Sequence, residues 1–220
     1  MDPHAVIPSF GPDRCSEFLE GTREAPPRGQ LLEALSHAPG QPRGRALDIG
    51  CGPGKEVVVL LRAGFEVTGI DPYPTMIAHA SARVRAECPE QLSRLTLTCA
   101  RIEDQLATLR PSAFTLVHAG FVLPFVAARD FAATFHALRE AIAPGGIFVG
   151  QLFGPDDEFI RTSPEGSMSC QTAGEVTDLL AGLEILGRED VNRSGFIGKG
   201  RAKWWHVHHI VARKPLHPQG

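Results

Sequence analysis

Two carboxylates, three glycines and a histidine stand where they could do chemistry. Asp48 lies two residues before Gly50-Cys51-Gly52-Pro53-Gly54, and Asp71 closes the next apolar run, Gly64-Phe65-Glu66-Val67-Thr68-Gly69-Ile70-Asp71. Glycines without Cβ atoms let a ligand lie directly on the backbone. A helix opening at Lys55 would offer its first N–H groups to a polar or anionic ligand group. An acid at the end of a second strand can accept both hydroxyls of a ribose. A carboxylate at position 48 can face a cofactor ammonium group. His118 ends the apolar run Ala113-Phe114-Thr115-Leu116-Val117-His118, and a histidine can act as a base near neutral pH.

These residues need strands that end together and helices that cover them. Ala46, Leu47 and Ile49 make a short buried strand, and Lys55 to Arg62 continues with apolar residues at helical spacing. Pro74 suits a helix start, with Met76, Ile77, Ala80 and Val84 as the buried stripe. Leu95 to Ala100 reads as a third strand, a short helix holds Leu106 and Leu109, and the run ending at His118 is the fourth strand. Phe131, Phe135, Leu138 and Ile142 line a helix that Ala143-Pro144-Gly145-Gly146 ends, and Ile147 to Phe153 follows as a fifth strand. Thr172 and Glu175 have capping-box spacing. Leu183 to Val191 and Lys203 to Arg213 read as two last strands with little helix between them. Alternating strands and helices imply a mainly parallel sheet, and the last pair implies a hairpin at one edge. Leu31, Leu32 and Leu35 mark a leading helix, and a shorter one is expected over residues 13–20.

Two nucleotide cofactors fit strand, glycine turn, helix, strand and acid. Dinucleotide enzymes use G-x-G-x-x-G, and here Lys55 stands where the third glycine would be. With Asp48 before the G-x-G-x-G turn and Asp71 after it, the stretch resembles motif I of the class I S-adenosylmethionine-dependent methyltransferases. The likeness runs from about Leu31 to Lys214. Three pieces are similar to one small bacterial subgroup, often grouped with the tellurite-resistance methyltransferases: Val117 to Phe125, Gly150 to Gly154, and Lys203-Trp204-Trp205-His206-Val207-His208-His209-Ile210. The resemblance implies a Rossmann-like three-layer sandwich with a seven-stranded, mainly parallel sheet. It implies one domain, with residues 1–30 as an N-terminal cap segment, 31–213 as the core and 214–220 as a loose tail. S-adenosyl-L-methionine would be the cofactor. Asp48 would face its methionine ammonium, and Gly50, Gly52, Gly54 and the backbone of Cys51 would line its path. Asp71 would take the ribose, Pro72 would pack by the adenine, and Ile102 and Glu103 would close over it, with the His118 backbone also in reach. The sequence departs from the family at Arg101, where many members carry an Asp, at Thr115 in place of an acid, and at His208 in place of an aromatic.

On the acceptor side, His118 is the candidate base. Phe121, Phe125 and Phe153 would wall a pocket or belong to the core, with Gln151, Trp205 and His206 as further lining. Arg23 and Arg28 precede the first core helix, where they either cover the cofactor carboxylate on the substrate side or stand as solvated surface arginines. Strand alternation puts Trp204, His206 and His208 on one face and Trp205, Val207 and His209 on the other. No third ligand accompanies His206 and His208, so no metal is expected. Asp156-Asp157-Glu158 reads as a solvated loop.

Composition narrows the acceptor. A formal charge of −3 over 220 residues gives no electrostatic case for nucleic acid or acidic membrane. The five cysteines are scattered, the N-terminus lacks a signal-peptide pattern, and no apolar run spans a bilayer, so a cytoplasmic protein is expected. His118-Ala119-Gly120-Phe121 does not match the N-P-P-Y motif of base-amine methylation, and no Pro-Cys pair is present. The expected function is methyl transfer to a small-molecule acceptor. The alternative, from another class, is a non-catalytic S-adenosylmethionine-binding sensor or partner subunit, and a weaker rival is a nicotinamide oxidoreductase, disfavoured by Lys55 in the glycine pattern.

Overall fold

The computed structural model describes residues 26–38, 44–197 and 200–216. Arg23 and the helix expected over 13–20 lie outside these residues. The apolar run before the glycine turn forms β1 (Arg45–Ile49), buried at four of its five residues, as suits a strand covered on both faces. It is flanked by β2 (Glu66–Asp71) and β4 (Phe114–Ala119), both parallel to it. β3 (Leu95–Cys99) adds beyond β2, and β5 (Ile142–Phe153) beyond β4, again in parallel. β7 (Arg201–Arg213) then runs antiparallel between β5 and the edge strand β6 (Glu184–Ile197). The sheet order is β3-β2-β1-β4-β5-β7-β6. The chain starts in the middle and winds outward both ways, so the carboxyl ends of β1 and β4 form the switch point where open α/β sheets bind ligands.

Helices cover both faces. Leu31 of α1 (Gly29–His37), Val57 and Leu60 of α2 (Lys55–Arg62) and Val84 of α3 (Pro74–Glu87) pack on Ala46, Leu116, Val149 and Val211. Phe131, Phe135 and Leu138 of α4 (Ala128–Ala141) pack on Leu47, Val117, Phe148 and Ile210 of the other face. A short α5 (Glu158–Thr162) and α6 (Ala173–Leu179) follow, the latter opened by the expected capping box between Thr172 and Glu175. A third, largely aromatic cluster sits at the carboxyl end of the sheet around Phe153 and Val207. Among the described residues no helix is long and apolar enough to cross a membrane.

Three boundaries differ from expectation. β5 begins at Ile142, not Ile147, because Ile142 pairs with Phe114 before the register shifts. Gly146 makes that shift possible: a Cβ there would come within 2.8 Å of the Ala143 carbonyl oxygen. β6 runs on to Ile197 because the start of β7 pairs with it down to Ile197 and Arg201. Lys214, expected in a loose tail, exchanges backbone hydrogen bonds with Gly145 and Gly146 at 2.8 Å.

Candidate active site

The glycine turn is built by backbone that only glycine adopts easily. Gly50, Gly52 and Gly54 have φ of 64°, 50° and 80°. A Cβ at 50 would lie 2.8 Å from Val122 Cβ, and one at 54 would lie 2.8 Å from Ala80 Cα. Two of the three glycines are therefore required by the protein's own packing, besides any ligand. The Gly50 and Cys51 N–H groups donate to the Ile70 carbonyl, which locks the turn to β2. Beyond it, the first N–H groups of α2 have no intrahelical partner.

Asp71 is held ready at the tip of β2. Its Oδ2 accepts from the Gly52 N–H at 3.0 Å and its Oδ1 from the Tyr73 N–H at 2.9 Å. Burial pushes its carboxyl up to about 6, against the pull of those two donors. Cys51 is buried, and burial together with the Asp48 and Asp71 carboxylates raises its thiol well above the usual range. That suits a backbone-contact residue and not a nucleophile. Pro72 is half-buried and Ile102 buried beside this turn. Glu103 is engaged at 2.5 Å by Arg101.

Asp48 and His118 face each other directly in the β1–β4 register. His118 Nδ1 and Asp48 Oδ1 are 2.6 Å apart, and both side chains are almost wholly buried. Burial raises the Asp48 carboxyl, and His118 opposes that rise. Asp48 Oδ2 and His118 Nε2 have no hydrogen-bond partner among the described residues. Gly120 keeps the space above the ring open: a Cβ there would lie 2.7 Å from His118 Cε1 and 2.9 Å from Arg28 Nε. Arg28 reaches over Phe121 at 4.8 Å and stands 4.0 Å from Glu56 Oε1. Phe121 itself has φ 55°, a conformation that costs a bulky residue energy and that tight sites often hold. Its N–H donates to Gln151 Oε1 at 3.2 Å. Gln151 is fully buried, and its Nε2 has no partner among the described residues. The structure thus brings Asp48, His118, Arg28, Phe121 and Gln151 to one edge.

Of the other expected residues, some pack around Phe121 and one does not. Phe125 and Phe153 pack on each other and on Phe159, and Phe153 is core. Trp205 meets Phe121 edge-on at 5.8 Å. His206 is not brought to this edge. It lies on the opposite face of β7, where its Nδ1 accepts from the Asp156 N–H and its ring sits 5.2 Å from His208. The β5–β7 register pairs Gln151 with His209, so His209 is the histidine beside Phe121, with ring centroids 6.0 Å apart. His208 spends both ring nitrogens on Asp190 Oδ1 and the Gln171 carbonyl. Among the described residues no group of three or more His, Cys, Asp or Glu is arranged to hold a metal.

Asp157 corrects the reading of a solvated loop. It is fully buried and bonds Lys203 Nζ at 2.5 Å, while also accepting from the Phe159 and His206 N–H groups. Lys203 lies within 3.7 Å of the Trp205 ring centroid, 4.5 Å of Phe159 and 4.8 Å of Phe153. Burial lowers its ammonium and Asp157 opposes this. The pair is 46 residues apart in the chain, and the only local hint was that Lys203 shares the Trp205 face.

The glycine cradle, the preset Asp71 and the orphaned polar atoms fit a nucleoside cofactor with a charged tail. Residues 47–148 match the family described as Methyltransferase domain. Over these residues the chain resembles methyltransferase domains. The chain has a curated relative in the trans-aconitate 2-methyltransferase of Methylobacterium radiotolerans, at 30% identity over 138 residues, covering 56% of this chain and 53% of the relative. The chain therefore spans about half the length of that relative. Its fold is shared with TehB from Haemophilus influenzae, at TM-score 0.70 and 17% identity, covering 90% of this chain and 65% of that one. It is shared also with the N-methyltransferase NodS from Bradyrhizobium japonicum, at TM-score 0.62 and 18% identity, covering 94% and 99%.

Proposed function

We propose that the protein transfers a methyl group from S-adenosylmethionine to a small-molecule acceptor, with His118 as the base. The observation that carries this is the buried 2.6 Å pair between His118 and Asp48 at the switch point, with Nε2 unpartnered among the described residues. When bound, S-adenosylmethionine supplies a methyl group on a sulfonium that is already activated. The residues assigned to hold it are Asp71 for the ribose hydroxyls, Asp48 Oδ2 for the ammonium, Arg28 for the carboxylate, and Pro72, Ile102 and Glu103 for the adenine.

The protein's remaining share is alignment, exclusion of water and a proton acceptor. With one proton shared between His118 Nδ1 and Asp48, the Nε2 lone pair points away from the carboxylate and takes the acceptor's proton. Asp48 fixes that tautomer and ring orientation, as a carboxylate does behind any histidine base. Gln151 sets Phe121 through its bond to the Phe121 N–H, and the aromatic wall keeps water from the edge. A small acceptor is supported by the net charge of −3 and by the organic acid in the name of the Methylobacterium relative.

The test is turnover. Purified protein is incubated with S-adenosylmethionine and a panel of small organic acids, phenols, amines and thiols, and S-adenosylhomocysteine is measured. Release that depends on one acceptor class supports the reading. Tight cofactor binding by calorimetry without release from any acceptor would instead mark a sensor or partner subunit.

A further inference from the structure

Beside Phe121, an open groove of about 470 Å³ runs along the β6–β7 hairpin. Its size falls within the range of small-molecule sites. Val191 and Val207, cross-strand partners, line its middle, and Phe121 and Trp205 add aromatic surface. Gly195 admits the indole: a Cβ there would lie 2.9 Å from Trp205 Cδ1.

The two ends differ in charge. His209 marks the inner end, paired with Gln151 across the β5–β7 register, and Phe121 touches both it and Trp205. His209 Nδ1 and Gln151 Nε2 are both buried without a hydrogen-bond partner among the described residues. An unmet buried polar atom costs about 1–3 kcal/mol, and apolar neighbours cannot relieve it. Burial holds the His209 ring below the usual imidazole range, so it serves as a neutral hydrogen-bonding group. Glu189 is the cross-strand partner of His209 and lines the same end, where it disfavours an anion. Arg193 lies across from Trp205 at the outer end and makes no ion pair among the described residues.

We propose that this groove takes the methyl acceptor, and that the acceptor is a small organic acid with a flat or apolar body. Its anionic group meets Arg193, its body lies on Val191, Val207 and Trp205, and its methyl-accepting end meets His209, the register partner of the buried Gln151. This assignment rests on the methyl-transfer reading, and it replaces His206 by His209 as the histidine that orients the acceptor.

The test uses the chain's two tryptophans as paired reporters. Trp205 lines the groove, while Trp204 lies on the other face with its Nε1–H bonded to Asn192 Oδ1. Indole N–H signals of ¹⁵N-labelled full-length protein, held with S-adenosylhomocysteine, are followed during titration with 3-phenylpropionate and, separately, with 3-phenylpropylamine. The acid should shift the Trp205 signal saturably and leave Trp204 in place. The amine should bind at least about tenfold more weakly, the effect of roughly one well-placed charge contact. Arg193→Glu, a change at an exposed position, should reverse that preference. The proposal is overturned if Trp205 stays unmoved by the acid, if acid and amine bind equally, or if Arg193→Glu leaves the acid's affinity intact. Calorimetry with S-adenosylmethionine on the same sample separates the two claims. Normal cofactor binding with a silent Trp205 refutes the groove alone, whereas absent cofactor binding undercuts the methyl-transfer reading as well.

Discussion

Cofactor affinity should depend on pH through Asp71. Its carboxyl rises from an ordinary 3.8 to about 6 because it is buried, and the Gly52 and Tyr73 N–H groups recover only part of that cost. Ribose hydroxyls donate to the ionised form. Hydrogen bonds to a charged group contribute about 1.5–3 kcal/mol, against about 0.5–1.5 kcal/mol for neutral pairs. Protonating Asp71 should therefore weaken S-adenosylmethionine binding by about 1–1.5 kcal/mol, or roughly five- to fifteenfold. The loss should develop as pH falls from 7 to 5. Stability of the cofactor-free protein should move the other way. A folded-state pKa raised above the unfolded value contributes stability that is full below about pH 4 and lost as pH rises to about 6. The span is about 3 kcal/mol, at 1.36 kcal/mol per pH unit. Titration calorimetry across pH 5–8 on wild type and Asp71→Asn measures the first effect, and the variant carries the cofactor's own amino-group titration as the baseline. Thermal unfolding measures the second. Equal pH dependence of affinity in the two proteins would refute the assignment of Asp71 to the ribose.

The buried Lys203–Asp157 pair should behave as a clamp: Asp157→Ala should cost about 3–5 kcal/mol in denaturant unfolding, because a charge is left buried alone, while Asp157→Leu with Lys203→Met should recover most of it. A double variant as unstable as the single one would contradict that. Gly50→Ala should cost at least about 1–2 kcal/mol from its left-handed backbone alone, and Val122→Ala should relieve part of any excess due to the 2.8 Å contact. Failure of Val122→Ala to help would show that the contact is not the cause. His208→Ala should lower the melting temperature through loss of the Asp190 and Gln171 contacts, yet leave cofactor affinity unchanged, and a weakened affinity would place His208 nearer the site than its bonds indicate.

The geometry of the glycine turn and its flanking acids was legible because its signals are local. Asp48, the three glycines and Asp71 lie within one strand–turn–helix–strand unit, and their spacing alone fixes which strand ends meet. The pairing of Asp48 with His118 was not legible, since it depends on β1 and β4 lying side by side 70 residues apart. The acceptor half was legible only in part. Alternation along β7 correctly sorted its side chains into two faces, but which face meets Phe121 is decided by the pairing of Gln151 with His209, and that register has no local signature. Asp157 looked like a solvated acid for the same reason, because its partner Lys203 arrives from a distant strand. The early start of β5 was hidden by glycines that ordinarily end a helix and here permit a shift in strand register.

The central claim is that His118, backed by Asp48, takes the acceptor's proton during methyl transfer. The most direct measurement is S-adenosylhomocysteine release by wild type and His118→Asn with the same acceptor across pH 5–9, with cofactor affinity taken by calorimetry on both. A general base predicts a loss of roughly 10²–10⁴-fold in turnover, disappearance of one limb of the pH–rate profile, and nearly unchanged cofactor affinity. Wild-type turnover by His118→Asn over the whole range would contradict the claim and point to an acceptor that reaches the site already deprotonated.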